Sequence, residues 1–278
     1  MKVRKKNKHL APRKPKTASQ ENKKPDFLDW NGKILLSSVK RIDMGIILII
    51  ALDMMFYYFC YYLFMFWLQR IQGRLLLFNL PADASTLGAE RTQQLVGEAK
   101  MFLYILVFSF ILLLLAIIFI ASIINGVIWA KVTKTKASLS LISRFLALNL
   151  IWMGFWFVLA FLISWLAEPG SIRLFIIAAI AIAYYFTNAL YSIFMRNQKI
   201  RSILDSIRLG TAKLHLFLIP YIVIFLIFYI IFELNSLLAF DYSSFFFGIV
   251  LVAFAAAVRY YISALVMEIE NLGKPKSL

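Results

Sequence analysis

Apolar residues along this chain fall into long unbroken blocks, not into the spaced stripes of a soluble helix or strand. Six stretches, 44–68, 101–129, 145–167, 174–195, 214–232 and one starting at Tyr242, reach or approach the roughly 20 residues needed to cross a hydrocarbon core about 30 Å thick. The sixth is apolar to Val258 and, carried on as one helix past Arg259, covers 242–266. Runs such as 105–121 are apolar on every side, which excludes the polar–apolar alternation of a membrane β-barrel. The pattern predicts an all-α polytopic membrane protein: a six-helix transmembrane bundle spanning 27–272, flanked by residues 1–26 and a tail at 273–278.

Shorter amphipathic segments lead into the odd-numbered spans. Before the fifth, KIRSILDSIRL (199–209) puts Ile200, Ile203, Leu204 and Ile207 on one face and Arg201, Asp205 and Arg208 elsewhere, as in a helix lying along a membrane surface. Gly210 suits its C-cap. Before the third, SLSLISRFLAL (138–148) has the same shape, and Arg144 stands 64 positions before Arg208. Before the first, Phe27–Arg41 is amphipathic through Phe27, Trp30, Ile34 and Leu35, and Arg41 takes the equivalent place. The chain thus reads as three units, each a surface helix followed by a membrane hairpin, produced by internal repetition or by ordinary selection on topology. Between the first two spans, 69–100 carries an apolar segment at 75–78, a turn at Pro81 and a helix from Ser85 into span two, an expected interfacial lip.

Charge sets the expected orientation. Of 30 Lys and Arg, 25 fall on the side of the bundle that holds both termini and 5 on the other, so the positive-inside rule predicts a plasma-membrane protein with both termini cytoplasmic. Trp67, Trp129, Trp165 and Tyr242, near span ends, are expected in interfacial belts. Ten of the basic residues lie between Lys2 and Lys24, with Pro12 and Pro15 and almost no apolar side chains, which predicts a disordered cytoplasmic arm. No apolar region follows those charges until after Arg41, unlike a cleavable signal peptide. A tethered polybasic segment of this kind binds anionic lipid headgroups at about 1 kcal/mol per cation near the surface, with RNA as the alternative anion.

With 62% hydrophobic and 16% charged residues, the composition belongs to a chain solvated by lipid. The layout and the RSILDSIRLGTAKL segment (201–214) resemble the six-span membrane domains fused to glycerophosphodiester phosphodiesterases, and similar archaeal and bacterial membrane proteins, over about 27–272. The resemblance implies a prokaryotic membrane module of surface helices and hairpins. It brings no catalytic residues, because the soluble phosphodiesterase domain is missing here.

Catalytic motifs were sought along the chain. Neither Gly–Lys pair, at Gly32 and Gly273, belongs to a phosphate-binding loop, and neither the H-E-x-x-H zinc motif nor the G-x-S-x-G elbow occurs. His9, His215 and Cys60 are the chain's whole complement of those residue types. No catalytic, cofactor or metal site is therefore expected.

Intramembrane polar residues remain. Asp53 lies deep in span one, where an unpaired carboxylate costs about 2.5–3.5 kcal/mol, so it should face protein or water. Tyr57, Cys60 and Tyr61 fall on its helical face. Arg259 in span six lies at a similar depth and is its natural partner, unless it snorkels to the inner headgroups. In span four Ala181, Tyr185, Asn188 and Ser192 share a face suited to close packing, to which Asn149 of span three could bond. Three functions follow as expectations. The first is a non-enzymatic scaffold or accessory module; the second is a small-molecule transporter or channel using Asp53, Arg259, Asn149 and Asn188. The third is a lipid-modifying enzyme.

Overall fold

A computed structural model describes residues 27–76, 89–237 and 243–272. The basic arm, Pro81 and Ser85 of the lip, Tyr242 and the tail at 273–278 lie outside the described residues. Eight helices occur in the described residues: α1 (Phe27–Arg41), α2 (Gly45–Leu75), α3 (Ala89–Val132), α4 (Leu139–Leu166), α5 (Ile172–Asn197), α6 (Ser202–Ala212), α7 (Leu214–Leu237) and α8 (Ser243–Leu272). Six of them, α2, α3, α4, α5, α7 and α8, are long and apolar enough to cross a membrane. Their outward faces form an apolar girdle of exposed Leu, Ile, Phe and Tyr that contacts lipid.

The bundle is organised around α8, which packs against α1, α2, α5 and α7 and touches α3. Its Ala253, Ala255, Ala256 and Ala257 let neighbouring backbones come close. From Ile262 to Val266 five consecutive residues are buried, so helices surround α8 on all sides there. Two apolar cores meet across it. One joins Ile49, Ile128, Trp129, Phe145, Leu148, Phe194 and Tyr260. The other joins Ile34, Phe217, Tyr221, Ile262, Leu265 and Ile269.

Helix α3 is the longest, 44 residues or about 66 Å at 1.5 Å per residue, more than a bilayer core requires. Its first turns carry Glu98 and Lys100, and α2 ends in Gln69, Arg70, Gln72 and Arg74, so both helices continue past their apolar stretches into polar residues. Trp67 holds it together, donating its indole N–H to Ser109 Oγ at 3.1 Å. At the opposite end Asp43 ties three helices. It accepts from the Gly45 amide at 2.9 Å and the Tyr260 hydroxyl at 3.5 Å, and Lys131 Nζ lies 3.8 Å away. A Cβ at Gly45 would fall 2.0 Å from Lys131 Cε, so the lysine side chain would have to move aside.

Several expectations are corrected. Residues 138–148 form no separate surface helix; they are the start of α4, capped by Ser138 Oγ on the Leu141 amide. Leu141, Phe145 and Leu148 point into the core, because nothing between Ser138 and the span breaks the helix. A separate helix therefore precedes the first and fifth spans, α1 and α6, but not the third. Gly210 is no C-cap. It lies inside α6, buried, and a Cβ there would come within 2.7 Å of the Phe186 ring. Trp129 sits in no interfacial belt: it is buried and its ring meets Tyr191 edge-on at 5.9 Å. Trp165 is exposed.

Candidate functional site

Asp53 occupies the third turn of α2, one turn beyond the buried Ile49, and is itself buried. Arg259 lies on α8 immediately after the alanine-rich stretch, where the small side chains bring α2 near. Its two terminal nitrogens bond both carboxylate oxygens, Nη1 to Oδ2 and Nη2 to Oδ1, the latter at 3.0 Å. This is a bidentate fork, the strongest geometry open to the two groups. Little solvent reaches either side chain, 15% for Arg259 and 4% for Asp53, so removing one partner would leave the other as a buried, unpaired charge. Arg259 is thus a bundle residue, and leaving it out of the basic count gives 24 against 5.

Tyr57, one turn past Asp53, is more than half exposed on the outer face of α2. Tyr184 of α5 lines the same cavity as Tyr57. Tyr61 is likewise turned outward, 60% exposed. Cys60 is partly covered.

Asn149 is fully buried on α4 and bonds two helices at once. Its Nδ2 donates to Ser122 Oγ of α3 at 3.0 Å, and its Oδ1 accepts from the Tyr191 hydroxyl of α5 at 2.7 Å. Ser122 Oγ donates in turn to the Ile118 carbonyl at 2.6 Å. The bond from span three to span four therefore runs to Tyr191, and Asn188 is not its partner. Asn188 instead donates to the Tyr184 carbonyl of its own helix at 3.0 Å. Sequence reasoning missed Tyr191 and Ser122. Their only signal was a hydroxyl within an otherwise apolar stretch.

Two further cross-links were also missed. Trp152 Nε1 donates to Thr187 Oγ1 at 2.8 Å, fastening α4 to α5. Arg196 Nη1 pairs with Glu270 Oε2, joining α5 to the end of α8. On α6 the small residues Ser202, Ser206 and Gly210, four apart, form the buried stripe that packs against α5. Tyr185 donates its hydroxyl to the Gly210 carbonyl at 2.9 Å. The apolar face of α6 read from sequence is divided: Ile203 packs on the core, while Ile200, Leu204 and Ile207 face outward.

Among the described residues no group of three or more His, Cys, Asp or Glu could hold a metal ion. Asp53–Arg259 and Asn149–Tyr191 are helix-to-helix clasps within the spans, and the six apolar helices define an all-α polytopic membrane protein. No family model, curated protein or solved structure matches the chain.

Proposed function

We propose that this protein is a non-enzymatic membrane scaffold or accessory module, oriented with both termini in the cytoplasm, whose basic arm binds anionic headgroups of the inner leaflet. One observation carries the reading: Arg259 spends both terminal nitrogens on both oxygens of Asp53. The group best suited by depth to carry a proton or hold an ion is engaged in joining α2 to α8. Asn149 is similarly engaged between α3 and α5. Helix α6, which carries Arg201 and Arg208 outward, adds cations on the same side as the arm.

The full chain in lipid nanodiscs tests the headgroup half of this reading. With a spin label at Ser19→Cys in a Cys60→Ala background, the arm loses mobility when phosphatidylglycerol is added to phosphatidylcholine. It regains mobility as salt rises, because attraction beyond the Debye length of about 10 Å at 0.1 M is screened. Equal mobility in neutral and anionic discs contradicts lipid binding. Immobilisation only when RNA is added reassigns the arm to nucleic acid.

A further inference from the structure

Helix α7 joins the bundle by its first half only. Its buried residues are Phe217, Pro220, Tyr221 and Ile224, and beyond these it contacts α8, as where Phe232 meets Phe247. In α5 the buried residues cluster from Asn188 to Met195, leaving Ala179 as the only buried position in the first half. The two half-helices leave between them a cavity of about 410 Å³, walled by α2, α5, α7 and α8. Ala181 and Ala255 keep its walls apart, and its rim residues Ile180, Phe225 and Phe228 are exposed on the girdle that faces lipid. Only two lining residues carry a polar side chain, Tyr57 and Tyr184, both partly exposed on the girdle.

An apolar space of this size open to hydrocarbon forfeits dispersion contacts if empty, so it takes up an apolar chain. Tyr57 stands 12 residues beyond the start of α2, about 18 Å along a core about 30 Å thick, and hence near mid-bilayer. A phospholipid keeps its charged head at the interface and could send only a tail to this depth. The two phenols offer hydrogen-bond donors and no charged side chain lines the space, so an added carboxylate or phosphate would be an unpaired charge there. A polar group accepted here is therefore an uncharged acceptor. Mostly apolar walls with a few converging polar groups are the ordinary form of a ligand site of this volume.

We propose that the cavity between α2, α5, α7 and α8 binds one molecule of an uncharged, membrane-soluble lipid bearing a carbonyl, of the diacylglycerol class, with its carbonyl on Tyr57 and Tyr184. The site is independent of the arm and adds lipid recognition within the bilayer to the scaffold reading.

The test uses the full chain in phosphatidylcholine nanodiscs with a diazirine-tagged diacylglycerol, and peptides are mapped after illumination. Labelling is expected on α5 around Ile177 to Tyr184 and on α7 around Ile224 to Phe228. Filling the cavity by Ala181→Trp or Ala255→Trp should abolish it. The double variant Tyr57→Phe, Tyr184→Phe keeps the shape and removes both hydroxyls, so it tests the site even where the tryptophan variants fail to fold. It should weaken binding about tenfold, the equivalent of one to two hydrogen bonds. Four results would overturn the site: no labelling of these segments, labelling indifferent to the double variant, equal labelling by a diazirine alkane lacking the ester, or equal labelling by a diazirine phosphatidylcholine.

Discussion

Asp53 and Arg259, separated by 206 residues in sequence, face one another across the α2–α8 interface as a two-bond fork. The pair couples the first and last membrane spans, which closes the bundle around α8. An ion pair of this kind need not add net stability over apolar side chains of similar volume. It does fix which way α2 and α8 face each other, since no other rotation satisfies both groups.

The Asn149 clasp is expected to contribute measurably to stability. Asn149→Ala leaves the Tyr191 hydroxyl and Ser122 without their partner in a dry core, a loss of about 1–3 kcal/mol. Adding Tyr191→Phe should recover part of it by removing one orphaned hydroxyl. Thermal unfolding in detergent gives the comparison, and equal melting of Asn149→Ala and the native chain contradicts the clasp.

Gly210→Ala should lower the melting temperature although alanine is the better helix former by about 1 kcal/mol. The added methyl meets Phe186 at 2.7 Å and Tyr185 at 3.2 Å, and Tyr185 is held in place by its bond to the Gly210 carbonyl. Overpacking of this sort costs about 1–3 kcal/mol. A rise in melting temperature would show that α6 is free to move off α5.

Topology is open to thiol labelling in intact cells. Cysteines at Ser19 and Ser277 should be shielded from an impermeant reagent and one at Ser85 should react, because the basic residues concentrate on one side. Native Cys60, within the α2 span, should stay unlabelled. Reaction at Ser19 in sealed cells contradicts the orientation.

The membrane spans were legible because hydrocarbon length is read directly as residue count, and the Asp53–Arg259 pairing because helical rise converts position into depth. What sequence did not reveal was rotation about each helix axis. Trp129 has the depth of a belt residue, yet its side chain turns inward onto Tyr191. An amphipathic pattern at 138–148 is shared by a surface helix and by a span whose one face meets a core, and only the unbroken backbone of α4 separates them. Asn149 was recognised as a packing group, but its partner depended on α5 presenting Tyr191 instead of Asn188. The small stripe Ser202, Ser206 and Gly210 carries no hydropathy signal and so hid the contact with α5.

The most direct measurement is a double-mutant cycle at Asp53 and Arg259, read as melting temperature of the full chain in detergent. Asp53→Asn and Arg259→Gln each strand a buried charge and should each lower stability by about 3–5 kcal/mol. The double variant strands none and should recover part of that loss, giving a non-additive cycle. Additive losses, with the double variant the least stable of the four proteins, would contradict a structural pair and the scaffold built on it.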